Sequence, residues 1–251
     1  MDYEPLVKRF FIDLGYHVEK IPETDEKTPD FLIFDDTSSF LLELKTKLPS
    51  EAENEERRKL LDAGKIHSIH EEIVRKNRLS GIITKAKNQL ESYKEKDVLR
   101  IIWLLTTGHR AELRKLQFES TLYGLDCVGD VTNDRILDCY FFHNSDFFRY
   151  REILDGAIVA TESEAILFLN PLSPRYVQIK SSSLPKHLGG YVVDPIEREK
   201  NGEAFFIDSD VNRGDEESVL RYLRDKYKSD NMVKLATTYL SETKSIPRTT
   251  E

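Results

Sequence analysis

The chain is short of cysteine: only Cys127 and Cys139 occur in 251 residues, each beside apolar neighbours. Two cysteines do not build a disulfide scaffold, and buried, reduced thiols are expected instead. Long apolar runs are lacking too. The longest stretches, such as IIWLL at 101–105, fall far below the ~20 residues that a bilayer-spanning helix needs. The acidic start MDYE has neither the basic nor the apolar region of a secretory leader. These absences argue against a membrane span and a secreted disulfide scaffold, and a cytoplasmic protein is expected.

Basic charge is in deficit, with 37 lysines and arginines against 45 acidic residues and a net charge of -8. Nonspecific binding to nucleic acid is driven by phosphate neutralisation and counterion release, so this balance argues against a protein that coats nucleic acid indiscriminately. Common metal and phosphate signatures are missing as well. His67, His70 and His109 stand outside any cysteine or carboxylate pattern for zinc, and the spacing of His67 and His70 reads as a charged helix surface. Gly189-Gly190 belongs to no phosphate loop. Asp208 and Asp210 open a run whose twelfth position is Val219, where a calcium loop needs glutamate.

Hydrophobic residues make up 39% of the chain and charged ones 33%, which combines a core with a heavily charged surface. The length suits one large domain or two small ones, and one domain with a C-terminal elaboration is expected. Residues 45–115 carry 17 Lys and Arg against 11 Asp and Glu, about +6, which leaves about -14 elsewhere. Such asymmetry either sets a basic face beside an acidic site or coats solvated helices.

Leu6, Phe10, Phe11 and Leu14 recur at helical spacing, so a helix is predicted over 3–14, with Pro5 in its first turn, Gly15 as its stop and Glu4 near its N-terminus. Residues 16–21 alternate as a strand, 22–28 is a polar turn, and 31–34 and 40–46 are strand candidates. The segment 49–78 is dense in charge with a thin apolar stripe, and reads as one or two exposed helices inserted into the fold. A better amphipathic helix over 80–93 carries Lys85, Gln89 and Tyr93, and 99–106 reads as a strand buried on both faces. A helix over 111–122 and a strand over 136–142 follow. Beyond 149, strand candidates at 157–160, 165–169 and 176–179 alternate with turns, a helix spans 215–228, and the tail from 241 is polar and frayed.

The stretch 28–47, TPDFLIFDDTSSFLLELKTK, concentrates the chemistry. Residues two apart on a strand share a face, so Glu43 and Lys45 lie together while Leu42 and Leu44 point to the other side. Pro29-Asp30, the hydrophobic run and Glu43-Leu44-Lys45 follow a helix and a strand and precede a helix-strand unit. Together they resemble the signature of the PD-(D/E)XK nuclease superfamily, the fold of many restriction enzymes and RecB-type nucleases. Gln89 and Tyr93 fit the Gln-X-X-X-Tyr element of its RecB-like members. The resemblance covers about 3–106. It implies an α/β protein with a restriction-endonuclease-like αβββαβ core and a mixed central sheet. That core would occupy 1–149, with a helical insertion at about 49–78, and a C-terminal α+β elaboration over 150–251 would pack on it.

Hydrolysing a phosphodiester needs an activated water, charge neutralisation at the phosphate and help for the departing oxygen, all of which divalent metals supply. Magnesium keeps several waters and needs only one or two carboxylates. The resemblance implies that Asp30 and Glu43 are these catalytic, metal-holding carboxylates, with the backbone carbonyl of Leu44 as a further ligand. It makes Lys45 the lysine that assists the attacking water. Glu4 is the candidate for an extra acid on the first helix, with Glu19 in competition. Gln89, Tyr93 and Lys85 are expected to support the site or contact the strand. The expected cofactor is Mg2+, with Mn2+ able to substitute.

The expected substrate is DNA, with RNA as the other choice. The expected context is a prokaryotic restriction or anti-phage defence endonuclease acting as a homodimer or as a subunit of a multi-protein complex, without a membrane. Two alternatives stand beside it: a catalytically inactive binding or scaffold subunit of the same fold, and a structure-selective junction or RNA nuclease. Arg175 and Lys180 either recognise a substrate or partner, or belong to a packing subdomain.

Overall fold

Helix α1 (Glu4–Asp13) starts with a proline in its first turn, where a missing N–H leaves no hydrogen bond unmade. Three strands follow: β1 (His17–Lys20), β2 (Phe31–Phe34) and β3 (Ser39–Lys47). The computed structural model describes residues 2–22, 27–94, 97–236 and 239–245; most of the polar turn expected at 22–28, and the end of the tail, lie outside the described residues. Next come α2 (Glu51–Asp62), β4 (His67–Glu72), α3 (Asn77–Ser92), β5 (Leu99–Thr106), α4 (Ala111–Tyr123), β6 (Asp126–Asp130), β7 (Arg135–Tyr140) and α5 (Asp146–Arg149). The remaining elements are β8 (Gly156–Ala160), β9 (Ala165–Leu169), α6 (Tyr176–Ser181), α7 (Ser183–Leu188), β10 (Val192–Val193), α8 (Pro195–Lys200), β11 (Ala204–Phe206), α9 (Glu216–Tyr227), β12 (Met232–Lys234) and β13 (Tyr239–Lys244).

Seven strands form one mixed sheet in the order β1-β2-β3-β5-β8-β9-β10. Neighbours among β1, β2 and β3 are antiparallel, β3, β5 and β8 run parallel, β9 returns antiparallel to β8, and β10 lies parallel to β9. Strands from beyond residue 149 therefore extend the sheet that β1, β2 and β3 begin. A second sheet has the order β11-β7-β6-β12, and β13 pairs with β4 in a two-stranded ribbon.

The two-residue alternation of the strands sorts their side chains into two apolar layers. Phe40, Leu42, Ile101 and Trp103 pack with Phe11 of α1 and with Ile179 and Leu184 of α6 and α7. Leu41, Ile102 and Leu104 pack with Ile83 and Leu90 of α3 and Phe118 of α4. Trp103 meets Phe10 and Phe11 edge-on, with ring centroids 4.9 and 5.6 Å away. All eight residues of β5 are buried, as its apolar run implies. Arg100 is tolerated there because its side chain reaches the carbonyls of Leu90 and Tyr93, each at 3.4 Å.

The insertion is not purely helical, contrary to expectation. Helix α2 is secured by a capping box between Ser50 and Glu53, but the chain then turns at Gly64 (φ +65) and forms β4. His67 and His70 thus lie on a strand, not on a helix surface. The partner that stabilises β4 is β13, so residues 241–244, expected to fray, are held in a ladder. Local composition cannot reveal a partner so distant. Residues 176–179, expected as a strand, begin α6 instead, with Ile179 buried and Val177 75% exposed.

Gly124 closes α4 in the left-handed conformation (φ +62), and a Cβ there would lie 2.3 Å from the carbonyl oxygen of His143. Both the backbone and the space demand glycine. Gly124→Ala is expected to lower unfolding free energy by about 2–4 kcal/mol, combining left-handed strain with overpacking, as read from urea denaturation.

Candidate metal centre

Asp30 immediately precedes β2 and is stitched to β3 on both sides. Its N–H donates to the Leu42 carbonyl at 3.1 Å, and its Oδ2 accepts the Leu44 N–H at 2.7 Å. Glu43 lies between those two leucines on β3 and is fully buried. The Asp30 and Glu43 carboxylates are close enough to perturb each other's ionisation. Lys45, two residues along the same strand face, donates from Nζ to Glu43 Oε1 and, at 2.8 Å, to Gln89 Oε1. Gln89 in turn donates from Nε2 to the Thr28 carbonyl at 3.1 Å. A polar chain thus ties β3 to α3 and to the segment entering β2.

Burial pushes the Glu43 carboxyl up to about 7, with the neighbouring Asp30 adding to the rise and Lys45 opposing it. Asp30 is raised for the same first reason, against the hydrogen bond from Leu44. Glu43 Oε2 is buried with no hydrogen-bond partner. A desolvated, partnerless carboxylate oxygen beside a second carboxylate is what a divalent cation relieves, so these residues fit a hard oxygen-seeking ion. Among the described residues no group of three or more His, Cys, Asp or Glu side chains is placed to hold a metal. Two carboxylates suit magnesium, which retains waters, and fall short of a structural zinc centre.

Glu4 stands in the first turn of α1, pairs with Lys20, and adds to the rise at Asp30 through its charge. Glu19 is exposed on β1. Lys85, exposed on α3, lines an open cleft of about 650 Å³ with Lys27, Lys45, Asn88 and Gln89. Tyr93 departs from the helical expectation: α3 ends at Ser92, and Tyr93 is its C-cap residue in extended backbone (φ -81, ψ 119). Tyr93 packs against the core. Arg175 and Lys180 line no part of the cleft. Arg175 binds Asp155 at 3.0 Å and Lys180 binds Asp194 at 2.8 Å, which favours the packing role. The link from Lys45 through Gln89 to Thr28 joins segments 44 and 61 residues apart, so periodicity within one segment cannot reveal which atoms meet.

The Glu43 shift carries a stability consequence. Its folded value of about 7 lies above the ordinary 4.5, so the folded state binds the proton more tightly and this group's contribution is complete below about 4.5 and lost as pH rises through about 7. Glu119, which burial also raises to about 7, contributes with the same sign. Glu53 and Asp130, lowered to about 2, act only at lower pH. The metal-free melting temperature is expected to fall across the upper window, and Glu43→Gln should remove part of that fall in thermal melts. An unchanged slope would mean that Glu43 does not titrate there.

No family model, curated protein or solved structure matches this chain.

Proposed function

We propose that this protein is a magnesium-dependent phosphodiesterase of the PD-(D/E)XK kind, built on a restriction-endonuclease-like core and acting on DNA. One observation carries the reading: Asp30 and Glu43 converge, Lys45 stands beside them, and Glu43 Oε2 is buried and partnerless. The element order from α1 through β1, β2 and β3 to α3 and β5 supports it.

Bound magnesium would supply the activation of water and the neutralisation of phosphate charge. Asp30 and Glu43 hold the ion, and the Leu44 N–H keeps the Asp30 carboxylate in place. Gln89 orients the Lys45 amine, which can donate to the attacking water or to the developing charge on the phosphate. Lys27 and Lys85 on the cleft wall offer contacts for the backbone of a strand. A restriction or anti-phage defence role, with the chain working as a homodimer or beside a further subunit, completes the proposal.

Incubating the purified protein with plasmid, linear duplex, single-stranded DNA and RNA, with and without magnesium, tests it. Magnesium-dependent cleavage that Asp30→Ala abolishes is the expected result, and manganese should substitute. Cleavage of RNA alone would change the substrate. Binding without cleavage, under every metal tried, would leave a silent binding subunit.

A further inference from the structure

Beyond the acidic centre, at the carboxyl end of the same strands, a second cavity of about 460 Å³ opens. Four segments wall it: Arg57 of α2, His67 of β4 with Lys244 of the paired β13, Gly108 with His109 leading into α4, and residues 161–163 after β8. Lys47 of β3 pairs with Thr106 of β5, and a Cβ at Gly108 would lie 3.0 Å from the Pro49 side chain. The cavity therefore begins ~15–20 Å beyond Glu43, measured along the strand rise.

Its acids are engaged. Glu112 pairs with Lys115 at 2.6 Å, and Glu162 Oε1 accepts the Gly108 N–H at 3.1 Å. Its cations are available: Arg57 and Lys244 have no carboxylate partner among the described residues. His109 Nε2 is buried with no hydrogen-bond partner, and its ring stands edge-on to His67 with centroids 5.4 Å apart. Helix α4 begins here with Arg110 at its N-cap and no side-chain cap; the Ala111 N–H donates to the Gly108 carbonyl at 3.0 Å, which leaves the Glu112 and Leu113 amides without a side-chain acceptor. Burial first, and then the charges of Arg57, His67 and Arg110 against that of Glu53, hold the His109 imidazole below its ordinary range.

We propose that this cavity is a phosphate-binding subsite, in which Arg57 and Lys244 neutralise the anion while His109 Nε2 and the amides of Glu112 and Leu113 donate hydrogen bonds to it. A phosphate held here belongs to the same strand that reaches Asp30 and Glu43, at a linkage a few nucleotides removed from the one at the acidic centre. That choice of source rests on the nuclease reading, whereas anion binding does not.

Isothermal titration of the full chain without magnesium, using inorganic phosphate, a nucleoside monophosphate and a short single-stranded oligodeoxynucleotide, tests the subsite. Saturable phosphate binding is expected, weakened about tenfold by Arg57→Gln or His109→Leu, the loss of one charge-assisted contact. Asp30→Asn should bind inorganic phosphate as the parent does, which separates this subsite from the acidic centre. Tighter binding of the oligonucleotide than of phosphate identifies a strand as the source, and equal binding identifies free phosphate; either supports the subsite. Lys244→Gln, at an exposed ribbon position, repeats the test if a core-facing variant melts early. No saturable binding at millimolar phosphate, or undiminished binding by Arg57→Gln, overturns the proposal.

Discussion

Glu43→Gln is expected to cut metal-dependent cleavage by roughly 10³-fold or more, since a metal supplies several kcal/mol of charge stabilisation and each 1.36 kcal/mol is tenfold in rate. The same substitution is expected to stabilise the metal-free fold above pH 7. Glu43 is fully buried and its carboxyl is raised to about 7, so ionising it in the folded state is unfavourable. A neutral amide of the same shape removes that penalty, for a gain of about 1–3 kcal/mol after allowance for the stranded Lys45. Lys45→Ala has the opposite sign on stability: it leaves a buried carboxylate without its counter-ion, costs about 1–2 kcal/mol at neutral pH, and lowers cleavage by ~10²–10⁴-fold. Denaturation curves and single-turnover cleavage on the same samples check both. Equal stability changes in the two variants, or magnesium-dependent cleavage retained in Glu43→Gln, would remove Glu43 from the metal-holding role.

Asp155→Ala is expected to be the most destabilising single polar change, costing about 3–5 kcal/mol. Asp155 is fully buried at the entry to β8, and its carboxylate accepts the Arg100 N–H at 2.7 Å, the Ser173 hydroxyl at 2.5 Å and Arg175 Nε at 3.0 Å. It joins β5, β8 and the approach to α6 through one side chain. Removing it strands two donors in the interior and leaves Arg175, whose side chain is 20% exposed, without its ion pair. Arg175 keeps some hydration, so the loss should fall toward the lower end of the range. Asp155→Asn retains an acceptor and should cost less. Urea midpoints rank the three proteins, and equal midpoints for Asp155→Ala and the parent would contradict the assignment.

Legibility followed the range over which each feature is determined. Strands β2, β3 and β5 were readable because alternation and apolar runs are written in consecutive residues, and so was the shared strand face of Glu43 and Lys45. Helix α3 was legible as an amphipathic stripe, but its end was not. Tyr93, expected inside it, is its C-cap residue, because where a helix stops is set by contacts beyond its own stripe. Strand β4 was hidden because its charged, half-exposed residues gain order only from β13. Arg57, His67, His109 and Lys244 are scattered over almost the whole chain, and only the folded backbone gathers them around one cavity.

The ribbon of β4 and β13 also orders events in time. Its register joins His67 to Lys244 and Glu72 to Tyr239, and His70 Nδ1 meets Ser241 Oγ at 2.6 Å across it. During synthesis from the N-terminus, β4 emerges long before the strand that satisfies its edge. The acidic centre, by contrast, draws on residues no later than Gln89. The cavity, whose wall includes Lys244, therefore requires closure of a much longer loop than the hydrogen bonds of the acidic centre do. The acidic centre is closed by shorter-range contacts of the chain, and the cationic cavity by its longest one.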